Sequence, residues 1–356
     1  MRITAALVRE KGAPFRLETL NLADPGPDEV VVRVAACGVC QTDVHGRDDY
    51  FGIPFPCVFG HEGAGVVERI GARVTRVEVG DRVVMASPSC GKCSACRRGL
   101  PGYCADARRI KFGGRLRDGR PPYAESVSGA FFQQSAFATH ALATEGNVVK
   151  LPDDLPHEVA AAFACGVNTG AGAVLNVLKP PPGSSIAVFG AGSVGLAAVM
   201  AARIAGCATI CAIDLHENRL ALAREVGATQ VAREKPARSF DFTLEAAGSA
   251  QALRAAVDAL APLGVCCLVG SARKGVEAAL EMAQLQHGRT LRGCIQGDAP
   301  AEAFFPQLFA YWREGRLPVE KLIGTYEFSE VNRAIADSLS GKTVKPVLRI
   351  SSFLPT

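Results

Sequence analysis

Four cysteines stand close together in one short stretch of the chain, at Cys90, Cys93, Cys96 and Cys104. Their spacing, C-x2-C-x2-C-x7-C, allows four thiolates to surround a Zn²⁺ ion tetrahedrally at about 2.3 Å per bond. Four thiolates leave no open coordination position, so the pattern predicts a structural zinc lobe over about residues 88–106. An iron–sulfur cluster is the competing interpretation, but the ferredoxin pattern has a shorter last gap followed by proline.

A second set of metal-ligand and proton-transfer residues is dispersed along the first part of the chain. Its members are Cys40, Thr42, Asp43, His45, His61 and Glu62. A catalytic zinc needs three protein ligands and one open position for water or substrate. From the residues alone, His61 is equally compatible with an ordinary hydrogen-bonded histidine. Cys37 and Cys40 also form a C-x-x-C pair, which is compatible with redox chemistry.

A glycine-rich string, GAGSVG at 190–195, follows a short apolar strand pattern and precedes a helical pattern. It fits G-x-G-x-x-G in the context that makes this motif specific for dinucleotides. Gly190 allows the tight turn, Gly192 lets the backbone approach a pyrophosphate, and Gly195 lets the helix pack closely on the strand. The N-terminus of the helix then faces the negative charge of the phosphates.

Asp214 ends the next strand pattern, about 20 residues after the glycines, where a dinucleotide site has its acidic residue. Its carboxylate would accept hydrogen bonds from the adenosine ribose and repel a 2′-phosphate, which favours NAD over NADP. His216 and Arg219 follow closely and would tolerate a phosphate, so the preference for NAD is not absolute.

Composition excludes several other classes of protein. The chain has 356 residues, 48% of them hydrophobic and 21% charged, which excludes wholesale disorder. The formal net charge of +4 is too small to make nucleic acid a default partner. The 13 cysteines are an odd number, and the N-terminus has no apolar segment typical of a secretion signal. We therefore expect a cytoplasmic protein whose clustered cysteines bind metal.

The hydrophobic pattern changes along the chain and indicates two domains. Residues 1 to about 155 show short alternating strings between Gly and Pro turns, which predict β-strands. From about 159 apolar strands alternate with helices, which predicts an α/β domain with a parallel sheet covered on both faces. The strand at 345–350 would return to the first domain. The uncharged run 180–202 contains too many Gly and Pro residues for a membrane span.

Taken together, these motifs resemble the zinc-containing medium-chain alcohol dehydrogenases. GVCQTD, GHEGAGVV, the four-cysteine lobe and VFGAGSVG occur in the family's order and spacing, and the resemblance covers essentially the whole chain. FFQQSAFATHAL (131–142) and ADSLSGKTVKPVLR (336–349) are most similar to the aryl-alcohol (benzyl alcohol) and geraniol dehydrogenase group. The resemblance implies a mainly-β GroES-like catalytic domain (1–160 and 296–356) and an NAD-binding Rossmann domain (161–295).

The resemblance also implies roles for individual residues. Cys40, His61 and Cys165 would bind a catalytic zinc, Cys165 being assigned only through the family-like ACGVNTG (164–170). Asp43 would orient His61, and Glu62 would lie beside the metal. Thr42 would take the alcohol proton and pass it through the cofactor ribose to His45 at the surface. Cofactor contacts would come from Gly190, Gly192, Ser193, Val194, Gly195, Asp214, Arg219 and Lys345.

The implied reaction is reversible NAD-linked oxidation of a primary alcohol to an aldehyde, with two zinc ions per chain. Phe51, Ala86, Phe131 and Phe132 fall near the substrate pocket by resemblance and suggest a wide apolar site for benzylic or allylic alcohols. These phenylalanines are also compatible with an ordinary core. A homo-oligomer, dimer or tetramer, would form between nucleotide-binding domains through a strand near residues 275–285, without nucleic-acid or membrane partners.

Other functions stay open at this point. Glutathione-dependent formaldehyde dehydrogenase and short-aliphatic-alcohol dehydrogenase are alternatives within the same family. A non-catalytic NAD-binding protein and a zinc-ribbon nucleic-acid binder are alternatives from other classes. The basic segment 108–120 is expected to be a solvated loop, with an arginine for an acidic substrate as the minor alternative.

The chain departs from the family pattern at two places. Gln41 stands where the family often has a cationic residue near the cofactor pyrophosphate, and Lys345 is a candidate replacement. Only REKPARS (233–239) separates two predicted parallel strands, where the family has a helix. We therefore expect a short loop between residues 232 and 240.

Overall fold

The structure is a computed structural model that describes residues 1–350. Residues 351–356, the end of the predicted catalytic domain, lie outside the described residues. The strands are β1 (Arg2–Val8), β2 (Arg16–Asn21), β3 (Glu29–Gly38), β4 (Cys57–Val58), β5 (Gly63–Ile70), β6 (Arg82–Met85), β7 (His140–Thr144), β8 (Val148–Lys150), β9 (Ser185–Phe189), β10 (Thr209–Ile213), β11 (Gln230–Ala232), β12 (Phe240–Glu245), β13 (Leu260–Leu268), β14 (Thr290–Gly293), β15 (Ile323–Glu327) and β16 (Lys345–Arg349).

The helices are shorter in the first part of the chain than in the second. They are α1 (Gln41–Arg47), α2 (Ser94–Arg97), α3 (Ala107–Phe112), α4 (His157–Ala162), α5 (Asn168–Gly172), α6 (Ser193–Ile204), α7 (Glu217–Val226), α8 (Ala250–Asp258), α9 (Met282–Leu285), α10 (Ala301–Arg313) and α11 (Val331–Leu339). Two π-helical segments, Phe163–Val167 and Ala173–Leu178, continue α4 and α5.

The chain forms two compact units. The first unit comprises Met1–Cys165, Pro300–Phe309 and the chain from Ile323 onward. The second comprises Gly166–Ala299 and Ala310–Leu322. The first is mainly β, and the second is a doubly wound α/β unit with a parallel sheet, so the predicted fold class is confirmed.

The second unit is built on a six-stranded parallel sheet in the order β11-β10-β9-β12-β13-β14. Every residue of β9 is buried, and so are the last four residues of β10. Such continuous apolar runs are typical of parallel strands covered on both faces. The strand order reverses at β9, so the loop after β9 lies at the topological switch point, where α/β sheets bind their ligands.

The first unit brings the end of β3 beside the beginning of β5. The two strands are antiparallel, with Cys37 opposite Gly63. Cys40 follows β3, and His61 precedes β5, so the pairing places these two residues near each other. β16 pairs with the same end of β3, with Val347 opposite Gly38, and Lys345 therefore enters the same region.

Two element boundaries and one predicted strand differ from the sequence-based predictions. The helix predicted for 249–264 starts at its Ser249 cap but ends at Asp258, and β13 begins at Leu260. Pro262 explains the early end, since the residue before a proline avoids helical geometry. The strand predicted near 275–285 is absent from these described residues. The edge strand on this side of the sheet is β14.

The basic segment 108–120 is only partly the solvated loop that we predicted. Its first third forms α3, in which Ile110 and Lys111 are buried. Farther along, the Arg120 guanidinium donates to the largely buried Glu29 carboxylate at 2.7 Å. The segment therefore contributes to the packing of the first unit, and its sequence conceals an amphipathic helical turn.

Residues 233–239 form the short loop predicted from the sequence, without a helix. The strands on either side are not neighbours, because β11 lies at the edge beyond β10, whereas β12 pairs with β9. Arg238 in this loop lies over the Phe240 ring, 5.0 Å from its centre, and reaches Thr209 Oγ1 at 3.5 Å. A short loop thus takes the place of a crossover helix.

One helical run, His157–Leu178, is long and apolar enough to cross a membrane by length and composition. In its most apolar part, 78% of the residues are buried inside the protein. This burial is typical of a core helix. The run 180–202, considered from the sequence, is divided into a loop, β9, the glycine turn and α6, as predicted.

We predict that backbone amides of β11 exchange with solvent at least about tenfold faster than those of β9. The reason is that β11 is an edge strand, and the short loop from β11 to β12 contains no helix that could cover it. Hydrogen exchange measured by mass spectrometry on peptides covering 230–240 and 185–189 checks this. Equal protection of the two peptides would contradict it.

Candidate active site and metal centres

A buried carboxylate organises the candidate catalytic pocket. Asp43, in the first turn of α1, accepts hydrogen bonds from the backbone N–H groups of Cys40 (3.0 Å) and Gly60 (3.1 Å) and from Nδ1 of His61 (2.9 Å). Burial disfavours the protonated ring, but Asp43 outweighs it and holds the pKa of His61 well above its ordinary value. The other ring nitrogen, Nε2, is buried and has no hydrogen-bond partner in the described structure.

Four possible ligand atoms converge on one point beside this nitrogen. They belong to Cys40, His61, Glu62 and Cys165, and all lie within 4.8 Å of one another. The Sγ atoms of Cys40 and Cys165 are 4.0 Å apart. Two thiolates of a tetrahedral zinc site stand about 3.8 Å apart at ordinary Zn–S bond lengths. This spacing and the unpartnered Nε2 of His61 fit a zinc ion with one position left open.

Cys165 reaches the pocket from a π-helical segment, Phe163–Val167. Such segments occur as single turns within α-helices and are frequent at functional sites. The Cys165 and Cys40 sulfurs share a hydrogen bond in which either could be the donor, and this contact lowers the pKa of Cys40 well below its ordinary value. Cys40 is therefore prepared to act as a thiolate, the form that binds metal.

Glu62 forms a buried ion pair with Lys345. The Lys345 ammonium lies 2.8 Å from each Glu62 carboxylate oxygen and 3.3 Å from the Val39 carbonyl oxygen. Burial raises the pKa of Glu62 to about 7, although the positive charge of Lys345 opposes the shift. A side chain at Gly38 would collide with this pair, since its Cβ would lie 2.0 Å from Glu62 Oε2.

The Lys345 ammonium is therefore not the free cation that we predicted for the cofactor phosphates. Its three N–H donors are used by Glu62 and the Val39 carbonyl, and the residue is only 2% exposed. This pairing was not predictable from local patterns, because the two residues are 283 positions apart. Lys345 instead supplies a fixed positive charge behind the Glu62 carboxylate.

The four-cysteine lobe is a second, separate candidate metal centre. Cys96 Sγ lies 3.9 Å from that of Cys90 and 3.4 Å from that of Cys93. The backbone N–H of Cys90 points to Cys104 Sγ at 3.3 Å. Backbone N–H groups, that of Cys96 foremost, lower the pKa of Cys93 to about 6. Four converging sulfurs with N–H donors around them fit a closed tetrahedral zinc site.

Thr42 and His45 lie on α1, beyond Cys40. The Thr42 hydroxyl oxygen is 3.7 Å from Cys40 Sγ, so it stands at the edge of the metal pocket. His45 is three residues farther along and shares a helix face with Thr42. We expected His45 at the surface, but the structure buries it. It is 7% exposed, and its ring stacks on Tyr50 with centroids 4.3 Å apart.

Aromatic rings cover the side of the pocket next to His61. The rings of Phe131 and Phe132 lie 5.6 and 4.6 Å from the His61 ring, between centroids. Phe51 belongs to the same cluster and stacks on Phe112 at 4.2 Å. Phe112, which the sequence analysis missed, completes the group because it also meets Phe132 edge-on at 5.4 Å.

Ala86, the fourth predicted pocket residue, is buried at the end of β6. Its backbone N–H donates to the Asn147 carbonyl at 2.7 Å. Asn147 Nδ2 in turn approaches the Ala86 carbonyl oxygen at 3.3 Å. These hydrogen bonds hold Ala86 in place. Ala86 takes no part in the contacts among the aromatic rings of the pocket.

The loop that carries Phe131 and Phe132 is held in an unusual conformation. Ala130, Phe132, Gln133 and Ser135 all have φ between 50° and 52°, a left-handed region that costs free energy for residues other than glycine. Polar side chains of Gln133 and Ser135 stabilise this loop. The sequence analysis did not predict this role for them. Gln133 Nε2 donates to the Ile110 carbonyl at 2.9 Å, and Ser135 Oγ donates to the Val58 carbonyl at 2.7 Å.

The glycine-rich turn in the second unit has the features of a phosphate cradle. A Cβ on Gly195 would lie 1.8 Å from the Gly190 carbonyl oxygen, so glycine is required where α6 packs on the turn. A Cβ on Gly192 would meet nothing within 4 Å, which leaves room for a ligand against the backbone. Ser193 and Val194 begin α6, and the buried Ser193 hydroxyl has no partner in the described structure.

Asp214 lies beside this turn, at the end of β10. One carboxylate oxygen accepts from the Ala191 N–H at 2.7 Å and the other from the His216 N–H at 2.9 Å. Arg219 Nη1 is 3.7 Å from the first of these oxygens. The turn, its open backbone and the neighbouring carboxylate fit a dinucleotide, with Arg219 moderating the negative charge.

Comparison with known proteins supports the same assignment of fold and family. Residues 26–153 match the alcohol dehydrogenase GroES-like domain, and residues 193–310 match the zinc-binding dehydrogenase domain. Geraniol dehydrogenase of Castellaniella defragrans is 38% identical, over 97% of this chain and 96% of that protein. S-(hydroxymethyl)glutathione dehydrogenase of Escherichia coli is 32% identical, over 98% of this chain and 100% of that protein.

A solved structure is similar over the full length as well. The crystal structure of benzyl alcohol dehydrogenase from Acinetobacter calcoaceticus has a TM-score of 0.95 and 40% sequence identity, over 98% of this chain and 99% of that one. With both family models matched, these similarities show that the chain belongs to the zinc-containing medium-chain alcohol dehydrogenases, in their aryl-alcohol and geraniol dehydrogenase group.

Proposed function

We propose that the protein catalyses reversible, NAD-linked oxidation of primary benzylic or allylic alcohols to aldehydes. The observation that carries this proposal is the open set of ligands formed by Cys40, His61 and Cys165, with an aromatic wall beside it. The names of relatives support the substrate class, since one is a geraniol dehydrogenase and another a benzyl alcohol dehydrogenase.

We propose two zinc ions per chain, and the two clusters of ligands support this number. Cys40, His61 and Cys165 would hold the catalytic ion, and Cys90, Cys93, Cys96 and Cys104 the structural one. When bound, the catalytic zinc supplies Lewis-acid polarisation of the substrate oxygen, and NAD supplies the hydride acceptor. The residues of the chain then have to align the ligands, handle the proton and exclude water.

Proton handling starts at Thr42. Its hydroxyl stands next to Cys40 and is placed to accept the proton of a substrate alcohol in this pocket. His45, on the same face of α1, would receive the proton further out, by way of the cofactor ribose. Asp43 keeps Nδ1 of His61 occupied, so that only Nε2 faces the metal.

Glu62 is a fourth potential ligand, beside Cys40, His61 and Cys165. With Lys345 behind it, the carboxylate is held back in an ion pair within reach of the same point in the pocket. We propose that Glu62 would serve a bound zinc as a further, transient ligand, with Lys345 as its partner at other times.

We propose NAD rather than NADP as the cofactor. The Asp214 carboxylate would accept hydrogen bonds from the ribose hydroxyls and repel a 2′-phosphate. The Gly190–Gly195 turn and the Ser193 hydroxyl would receive the pyrophosphate. Because Arg219 stands beside Asp214, we expect selectivity for NAD to be moderate.

We also propose that the protein is a cytoplasmic homo-oligomer, a dimer or tetramer, that associates through the second unit. β14 is an edge strand, and edge strands readily pair with a second copy of a chain. Large apolar side chains are exposed around it, among them Leu263, Met282 and Leu291. All 13 cysteines are free thiols, which suits a reducing compartment.

S-(hydroxymethyl)glutathione or a short aliphatic alcohol is the alternative substrate within the family, supported by the relative from Escherichia coli. A substrate panel separates the two. We predict NADH formation with benzyl alcohol, cinnamyl alcohol and geraniol at kcat/KM values at least about tenfold above that for ethanol, since the aromatic wall contributes apolar contact area. Preferential turnover of S-(hydroxymethyl)glutathione would contradict the substrate class. Absence of turnover with every alcohol would contradict the proposed alcohol dehydrogenase activity.

We predict that Cys40→Ser lowers turnover at least about a thousandfold and leaves about one zinc per chain, because only the open site loses a thiolate ligand. Metal analysis by mass spectrometry, with steady-state kinetics, checks both values. Cys37→Ser is the matched control. Cys37 is fully buried outside the ligand set, so its variant should keep two zinc ions and most activity.

Equal loss of activity in the two variants would favour a C-x-x-C redox pair over the zinc assignment. Full activity of Cys40→Ser would contradict the role of Cys40 directly.

A further inference from the structure

Lys111 is a buried lysine without a polar partner. The residue is 5% exposed, and its ammonium, which still touches solvent, has no hydrogen bond or ion pair in the part of the chain that the structure describes. Burial lowers its pKa to about 8. Lysines are almost never buried to this degree unless they are paired. The other bases of α3 are satisfied, since Arg109 binds Asp106 and Arg108 donates to the Phe51 carbonyl.

The contact made by the ammonium is the face of an aromatic ring. Nζ lies 5.4 Å from the centre of the Phe132 ring. A cation–π contact stabilises a charge only modestly. A donor left without an acceptor costs free energy, and an ammonium has three donors. The ring alone does not balance the burial of this charge, so water or a ligand that carries oxygen acceptors has to reach the ammonium.

The place of Lys111 indicates what that acceptor belongs to. The Phe132 ring contacts both Lys111 and the His61 imidazole, whose ring lies 4.6 Å away and is tilted by 30°. The positive charge thus shares one aromatic neighbour with the imidazole of the candidate metal site. Phe112 closes the same side edge-on to Phe132. We consider an aromatic alcohol whose hydroxyl is held at the metal. Its ring spans part of the distance to the ammonium, so a group at the far end of the ring would reach Lys111.

We propose that Lys111 is a specificity-determining residue that binds an anionic oxygen group, a carboxylate or phenolate, on the ring of an aromatic alcohol, at the end remote from the reacting hydroxyl. This inference rests on the function proposed above and specifies its substrate class further. A charge-assisted hydrogen bond of this kind contributes about twice what a neutral one does. Neutral benzylic alcohols would leave the ammonium to water.

The test compares two substrates of similar shape, 4-(hydroxymethyl)benzoate and 4-methylbenzyl alcohol, with the complete zinc-loaded enzyme. We expect wild type to favour the carboxylate in kcat/KM. In Lys111→Met the ratio of the two kcat/KM values should fall about 10- to 100-fold, as expected for a lost hydrogen bond to a charged group, mainly through KM. The value for 4-methylbenzyl alcohol should stay within about threefold, with zinc content and Tm retained.

Lys150→Met is the matched control, because Lys150 is an exposed lysine paired with Asp81. It should leave the substrate ratio unchanged. A parallel loss for both substrates in Lys111→Met would show a merely structural lysine and overturn the proposal, as would an unchanged ratio. Should that variant fail to fold, wild type alone decides, since a preference for 4-methylbenzyl alcohol overturns the proposal. Turnover of neither substrate would refute the proposed function instead.

Discussion

The Asp43 carboxylate accepts hydrogen bonds from three groups that the chain brings together from two places. One is the backbone N–H of Cys40 at the start of α1, another is the N–H of Gly60 just before β5, and the third is the ring of His61. A single buried carboxylate therefore fixes Cys40 and His61, two of the possible metal ligands, relative to each other. Loss of the carboxylate would leave these donors buried without acceptors, at about 1–3 kcal/mol each.

The surroundings of the pocket are adapted to this constraint. Gly38 leaves the space in which Glu62 and Lys345 pair, and the paired strands β3, β5 and β16 bring the two residues together. The strained loop at 130–135 presents Phe131 and Phe132 to the His61 ring, and Gln133 and Ser135 hold it in place. Backbone strain near a metal pocket is thus offset by specific side-chain hydrogen bonds.

Local patterns made much of the molecule predictable. The zinc lobe could be predicted because its four ligands lie within one short segment, and the parallel sheet because β9 and β10 are continuous apolar runs. The loop at 233–239 was predictable because it is too short for a crossover helix. The glycine turn was specific because it stands between a strand and a helix.

Long-range pairings were not predictable in the same way. Cys165 carries no local signature and entered only through family resemblance, whereas its place beside Cys40 depends on a π-helical turn. The partner of Lys345 is Glu62, which is far away in sequence. The positive charge of Lys345 was therefore assigned to the cofactor phosphates instead. Lys111 was hidden in a strongly basic segment, where composition indicates solvent and only the fold shows burial.

The central claim is that one chain holds two zinc ions, one closed by four sulfurs and one open with two sulfurs and a histidine nitrogen. X-ray absorption at the zinc edge, on protein with measured metal content, tests it most directly. The account predicts about two zinc per chain and a mean of about three sulfurs per zinc, with nitrogen or oxygen completing the shell. About one zinc per chain with four sulfurs would contradict it, because the pocket around Asp43 and His61 would then hold no metal.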